Sequence, residues 1–336
     1  MQFGVFDHMD RGTVSLGQQF EERLGLAELY DRLGFRTYHL AEHHATPLGI
    51  AASPSVYLSA VAQRTKRMRL GPLVYTLSLY HPLRLIDEIC MLDQMSGGRL
   101  ELGVGRGISP IEIGYFGVDA AQSVSIYNEV LEIVLKGLTQ ETLTHAGKHF
   151  SFDKVPMVMQ PRQRPHPPLW FGGSTPETVA RAARDGVNLI SNVTAAGMRG
   201  LSDAYRREWD SLGRDQASLP LMGISRHVVI ADTDAEALDL ARRPMEMWWD
   251  HLHLLWKQHG KMPPNIAIPR DVAAARDAGY MIVGTVATVR DAVRKQIAES
   301  GANYFLCRLA FGDLPATASA RSAELFAREI MPALRA

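Results

Sequence analysis

The sequence predicts an α/β fold, a single (β/α)8 TIM barrel with insertions, and three observations carry that expectation. Short apolar runs alternate with longer segments at helical spacing, the pattern of a parallel sheet buried under helices. Eight such units follow one another, with no internal repeat of 20–50 residues. Residues 1–336 are read as one domain, because eight units and about 250 residues of core match a closed barrel. An open doubly wound sheet would produce the same alternation.

The elements follow in chain order. Strands are expected at Gln2–Phe6, Thr37–Ala41, Arg69–Tyr75 and Arg99–Val104, with helices near 18–33, 54–65, 82–95 and 123–138. The third helix has local causes: Pro82 suits the first helical position, Leu83, Ile86, Ile89 and Met95 form an apolar stripe, and Gly97–Gly98 supplies a stop. The second half continues with strands Pro168–Gly172, Val187–Ser191, Leu221–Ile230 and Tyr304–Leu309. Its helices lie near 176–185, 197–212, 234–256 and 317–331. One more helix, near 288–299, is expected from Thr288 and Asp291, which are spaced as a capping box. Two stretches interrupt the alternation. Residues 139–167 hold a candidate hairpin and a Pro-rich approach to the fifth strand. Residues 257–284, rich in Pro and Gly, have the length of a functional lid or a disordered segment.

Composition narrows the function. Hydrophobic residues make up 46% and charged residues 21%, which is ordinary globular usage and excludes a disordered or fibrous chain. Lys plus Arg (36) balances Asp plus Glu (36), and no run of five like charges occurs. Neither nucleic acid nor an anionic membrane is attracted by such a field, so a small ligand is expected. Cys90 and Cys307 sit in apolar contexts as small hydrophobes, which fits a reducing cytoplasm. The first strand begins at the second residue, leaving no room for a leader, and no run of 18 apolar residues occurs, so a soluble protein is expected.

The densest chemical signal is Ala41-Glu42-His43-His44, at the end of the second strand. The C-terminal strand ends of a barrel form its active face, where a carboxylate beside two imidazoles suits proton transfer. Rim hydrogen bonding would use the same residues, and a metal site drawing on His8 or His227 is a third reading, although no spaced ligand set stands out. After the fourth strand comes Gly103-Val104-Gly105-Arg106-Gly107, where the backbone admits close approach and Arg106 can fork onto a phosphate. Ile108 breaks any dinucleotide fingerprint, and an ordinary glycine turn would read the same. After the fifth strand comes Gly172-Gly173-Ser174-Thr175-Pro176-Glu177. Thr175 reads as an N-cap there, and the helix start can cradle an anion. Ser174 and Glu177 would also serve as a plain capping box. His81-Pro82 reads as helix entry, Leu73-Val74-Tyr75 as a buried strand end, and Met245, Trp248, Trp249 and Trp256 as helix packing.

Taken together, Gly34-Phe35 leading to Glu42-His43-His44, His81-Pro82, Leu92-Asp93-Gln94-Met95-Ser96-Gly97-Gly98-Arg99, Gly105-Arg106-Gly107, Phe116-Gly117-Val118-Asp119, Pro167-Pro168-Leu169-Trp170-Phe171-Gly172-Gly173-Ser174 and Val283-Gly284-Thr285 resemble the bacterial luciferase-like flavin monooxygenases. The resemblance spans nearly the whole chain. It implies a (β/α)8 barrel that takes reduced FMN (FMNH2) at its C-terminal face from a separate flavin reductase, reacts it with O2, and oxygenates a small organic substrate, as a homodimer. By position it implies that His43 is the histidine required for the oxygen chemistry and that Glu42 lies beside the flavin. Arg106 and Ser174, with Gly173 and Thr175 at the same corner, would hold the phosphate. Leu73–Val74 would be a non-prolyl cis peptide under the ring system. The chain departs from luciferase at Ser109, Pro110 and Asn192, which argues against long-chain aldehyde oxidation and light emission. Two rivals share the fold: a deazaflavin- or flavin-dependent hydride-transfer enzyme, and a non-catalytic flavin-binding subunit.

Overall fold

Parallel strands wrap into a nearly closed barrel in the computed structural model, which describes residues 1–263 and 267–335. The barrel strands are β1 (Gln2–Asp7), β2 (Thr37–Leu40), β3 (Arg69–Pro72), β4 (Tyr75–Thr76) and β5 (Leu102–Gly105). A hairpin, β6 (Thr142–Ala146) and β7 (Ser151–Pro156), stands outside the barrel. The barrel resumes with β8 (Leu169–Gly172), β9 (Asn188–Ser191), β10 (Met222–Ile230), β11 (Met281–Gly284) and β12 (Tyr304–Arg308). The hydrogen-bonded order runs β3-β2-β1-β12-β10-β9-β8-β5-β4, all parallel, with β11 added beside the end of β10. The two ends meet at Leu70, whose amide donates to the Arg99 carbonyl at 3.1 Å while the Glu101 amide donates to the Leu70 carbonyl at 2.8 Å. Glycine makes this seam possible, since a Cβ on Gly71 would stand 1.9 Å from the Glu101 carbonyl oxygen.

The helices are α1 (Leu16–Leu33), α2 (Pro54–Arg64), α3 (Pro82–Met95), α4 (Pro110–Tyr115), α5 (Ser123–Thr139) and α6 (Pro176–Asp185), then α7 (Ala195–Ser211), α8 (Asp234–Gln258), α9 (Val272–Asp277), α10 (Val286–Ser300), α11 (Ala316–Leu325) and α12 (Met331–Arg335). Side-chain caps start many of them, including Ser15, Ser109, Thr175, Thr194, Thr233 and Thr285. None of the described helices is long and apolar enough to cross a membrane.

Several expectations need correction. The third strand is broken into β3 and β4 at a cis Leu73–Val74 bond. The fourth begins at Leu102; Arg99 takes part only in the seam with Leu70, while its guanidinium binds the Ala62, Thr65, Met68 and Ser96 carbonyls and the Thr65 hydroxyl. Helix α10 starts earlier than the Thr288–Asp291 pattern indicated: the Thr285 hydroxyl accepts the Thr288 amide at 3.3 Å and is the true cap. At α6 the Thr175 hydroxyl accepts the Thr178 amide at 3.2 Å, in place of a Ser174–Glu177 box. The expected hairpin is present as β6–β7, antiparallel with an irregularity between Leu143 and His145. The 257–284 stretch carries α9 and β11, although its residues 264–266 lie outside the described residues.

Two cores result from the strand alternation. Outward residues such as Phe3, Val5, Phe305 and Cys307 pack under the helices, whereas Phe6, Leu73, Trp170, Ile190, Tyr304 and Leu306 fill the barrel interior. Lower in the barrel, fully buried Glu101 receives Arg36 at 2.5 Å, Arg69 at 2.6 Å and the Trp170 indole at 2.5 Å. Burial raises the pKa of that carboxyl, yet the two guanidiniums and His39 outweigh it and hold the group ionised.

Candidate active site

Strand β2 ends at Leu40, and the next residues carry Glu42, His43 and His44 over the C-terminal rim. Glu42 is buried and accepts three hydrogen bonds: from the Thr76 amide to Oε2 at 2.6 Å, and to Oε1 from the Tyr80 hydroxyl at 2.8 Å and His44 Nε2 at 2.9 Å. Those bonds fasten the end of β2 to the β4 turn. His43 points elsewhere. Its Nδ1 lies 3.3 Å from both carboxylate oxygens of Glu112, and the His44 amide donates to Glu112 Oε2 at 2.7 Å. Burial disfavours the Glu112 charge, but His43 and the His44 amide more than offset it, so the carboxyl lies below its ordinary range.

Glu112 is a member of this candidate site that the sequence did not single out. Its signal was Ser109-Pro110-Ile111-Glu112, a helix-start pattern, and the Ser109 hydroxyl does accept the Glu112 amide at 3.2 Å. Instead of reaching back to the cap, the glutamate turns across to β2.

On its other flank the His43 ring stacks on His8, with centroids 5.9 Å apart and planes at 22°. His8 Nδ1 accepts the Trp248 indole N–H at 3.3 Å, so that nitrogen carries no proton. Burial, then Arg308, His43 and His227, push His8 well below the usual histidine pKa. Trp248 therefore belongs to the site, beyond the helix packing expected of it. Trp249 donates to the Ile268 carbonyl at 2.9 Å, and Met245 is buried as expected. Among the described residues no three His, Cys, Asp or Glu side chains are placed to hold a metal ion.

The phosphate candidates follow the ends of neighbouring strands: β5 pairs with β8 up to Val104–Phe171, Arg106 comes just after β5, and Gly173, Ser174 and the Thr175 cap of α6 come just after β8. Arg106 and Ser174 are exposed, and no direct bond joins them among the described residues. Arg106 lines a cleft of about 330 Å³ with Ile108, Pro110, Ile113, Trp256 and Met262. The Gly173 amide is already bound to the Ile190 carbonyl at 3.1 Å. The Leu73–Val74 bond, between β3 and β4, is cis as the resemblance implied. Val74 sits beside two glycines of neighbouring strands: a Cβ on Gly105 would stand 2.6 Å from Val74 Cγ2, and one on Gly172 would be 3.8 Å from Val74 Cγ1. A side chain at Gly105 would collide with Val74, whereas one at Gly172 would make ordinary contact, so it is Gly105 that leaves Val74 its place as an apolar ledge here.

Comparison with known proteins shows the family and the fold. The family described as luciferase-like monooxygenase matches residues 1–304. An uncharacterised protein of Sinorhizobium fredii is 43% identical over 98% of this chain and 96% of its own length. The oxygenase component of a flavin-dependent trigonelline monooxygenase from Acinetobacter baylyi is 26% identical over 80% of this chain and 76% of its own. A monooxygenase from Streptomyces bottropensis superposes with a TM-score of 0.88 at 28% identity, covering 99% of each chain.

Proposed function

Because the chain belongs to the luciferase-like monooxygenase family, we propose that it is an FMN-dependent monooxygenase, using reduced FMN and O2 to oxygenate a small organic substrate. The observation that carries this reading is the pairing of His43 with Glu112 at the open end of the barrel, next to a ledge with room for a flat ring. When bound, the reduced flavin supplies the two electrons that let one oxygen atom enter the substrate while the other leaves as water.

The residues have separate tasks. Arg106 and the N-terminus of α6, at Ser174 and Thr175, bind the phosphate through a guanidinium and helix-end amides. Leu73 and Val74, between Gly105 and Gly172, support the ring. Glu42 ties the β2 and β4 ends together and keeps them in register beside it. Glu112 accepts the Nδ1 proton of His43, which leaves Nε2, free of hydrogen bonds to described residues, as the nitrogen that holds or moves a proton at the reacting oxygen.

A separate reductase is part of the proposal, since the trigonelline relative is itself an oxygenase component. We read the chain as one barrel unit working in the cytoplasm, in keeping with two buried free cysteines, and as a homodimer. Exposed Val56, Met91, Met95 and Val158 on and beside α2 and α3 supply an apolar face for a second copy, which light scattering checks directly. The deciding experiment mixes the protein with reduced FMN and ¹⁸O₂ over a panel of aldehydes, ketones, terpenes and sulfonates, reading product mass. One ¹⁸O per product supports the monooxygenase. Anaerobic substrate reduction with a reduced deazaflavin, without oxygen incorporation, would replace it by the hydride-transfer reading.

A further inference from the structure

Arg308 ends β12 on the inner face of the barrel. Strand alternation places Phe6 and His8 of the β1 end, Ser225 and His227 of β10, and Leu306 and Arg308 of β12 on that face. Arg308 forms part of the uppermost layer, at the level of the His8 ring that stacks on His43. It is 6% exposed.

Its bonding is incomplete. Nε donates to the Ser225 hydroxyl at 2.9 Å, and the guanidinium lies over the rings of Phe6 at 5.0 Å and Trp248 at 5.6 Å. Neither terminal nitrogen makes a hydrogen bond to a described residue, and no carboxylate pairs with it. Other arginines in the interior are provided for. Arg23 faces Asp7 and Asp10, Arg36 and Arg69 hold Glu101, and Arg226 spends its donors on Gln296 and two carbonyls. The charged and titratable groups that act on or feel Arg308 are His8, His227 and Arg226, none of them an anion, and burial together with Arg226 pushes its pKa down to about 9. A buried cation with free donors and no counter-charge is costly unless an anion arrives to match it.

We propose that Arg308 is the receptor for a carboxylate of the substrate, so that the enzyme acts on small organic acids. Anchored through Nε by Ser225, the guanidinium is held in one plane and presents its terminal N–H donors to two oxygens, the geometry in which arginine binds carboxylates most strongly. The Phe6 and Trp248 rings packed against the guanidinium give the acid's body apolar neighbours, which favours a flat or apolar one. This assignment rests on the monooxygenase reading for its catalytic meaning, but the binding it describes is measurable without flavin. The delocalised negative charge of a reduced flavin ring is the other source of a matching anion, and the experiment separates the two.

Benzoate and phenylacetate, each against its neutral amide, are titrated by calorimetry into the wild type, Arg308→Met and Arg308→Lys, with indole fluorescence as a second readout because Trp248 adjoins the guanidinium. The wild type is expected to bind the acids at least tenfold more tightly than the amides, the size of a charge-assisted pair of about 1.5–3 kcal/mol. Arg308→Met should bring acid and amide to near equality while leaving amide affinity intact, and Arg308→Lys should keep part of the preference. Equal binding of acid and amide by the wild type overturns the proposal even if neither variant folds, as does a preference that survives Arg308→Met. A variant that weakens reduced FMN tenfold relative to oxidised FMN, with the acid preference untouched, also overturns it and assigns the guanidinium to the flavin. Acid preference without oxygenation would sink the monooxygenase reading alone, and ¹⁸O transfer to neutral substrates without acid preference would sink the carboxylate receptor alone.

Discussion

Glu112 holds His43 from α4, with both of its oxygens 3.3 Å from Nδ1, while the His44 amide donates to the same carboxylate at 2.7 Å. One side chain thus fixes both the ring and the backbone at the exit of β2. Helix α4 has six residues and stands on a Ser109 cap, so the orientation of His43 depends on a short element that contributes little stability of its own.

Removing that carboxylate while keeping its shape tests the arrangement. Glu112→Gln is expected to leave reduced-FMN binding and KM nearly unchanged, and to lower product formation by roughly 10–100-fold through misplacement of the imidazole proton. The measurement is the ratio of product to H2O2 in single turnover. An unchanged ratio would remove Glu112 from the chemistry.

The His43→Ala variant should bind reduced FMN nearly normally, still consume oxygen, and release H2O2 in place of product, with product formation down by about 100-fold or more. His44→Ala should be milder, because His44 turns to Glu42 and its ring serves the rim. Oxygen electrode traces paired with peroxide assay check both, and wild-type coupling in His43→Ala would end its assignment.

Loss of the Arg106 guanidinium should be felt by phosphate. Arg106→Ala is expected to weaken FMN by roughly tenfold or more while riboflavin loses little, as for a charge-assisted contact of about 1.5–3 kcal/mol. Equilibrium dialysis with both ligands gives the comparison. Equal losses would point to a general disturbance of the cleft.

Acid should destabilise the fold through histidines buried in neutral form. Burial, before any neighbouring charge, lowers His39 to about 4 and puts His8 and His227 well below 6.5. The unfolded chain takes up their protons near pH 6.5 and the native state does not, so their stabilisation is full above that pH and declines below it, down to their folded values. Each contributes a loss of about 1.4 kcal/mol between pH 7.5 and 5.5, or about 4 kcal/mol together. Glu101 and Glu112, held below their ordinary range, add losses only at still lower pH. Urea unfolding at three pH values measures the slope, and His39→Leu should make it shallower by about one histidine's share; a flat profile would contradict the burial argument.

The barrel was legible because apolar alternation and glycine stops are local properties, and each expected strand overlaps a real one. The break between β3 and β4 was not readable from periodicity, since Leu73, Val74 and Tyr75 read as uninterrupted strand. Strand β11 went unread because Met281-Ile282-Val283-Gly284 is too short an apolar run to stand out among prolines and glycines. In the site, Glu42 and His43 were visible as a cluster, whereas Glu112 joins them only through the return of the chain 69 residues later. Arg308 looked like an ordinary strand residue until the register of β12 against β10 turned it inward.

The Leu92-to-Arg99 segment lies at the opposite rim from the candidate site. There Asp93 accepts the Gln163 amide and side chain at 2.8 and 2.7 Å, and Arg99 gathers the carbonyls that end α2. Breaking these lower-rim bonds would therefore loosen the joints between α2, α3 and the approach to β8 while the His43–Glu112 pair at the other rim stayed in place.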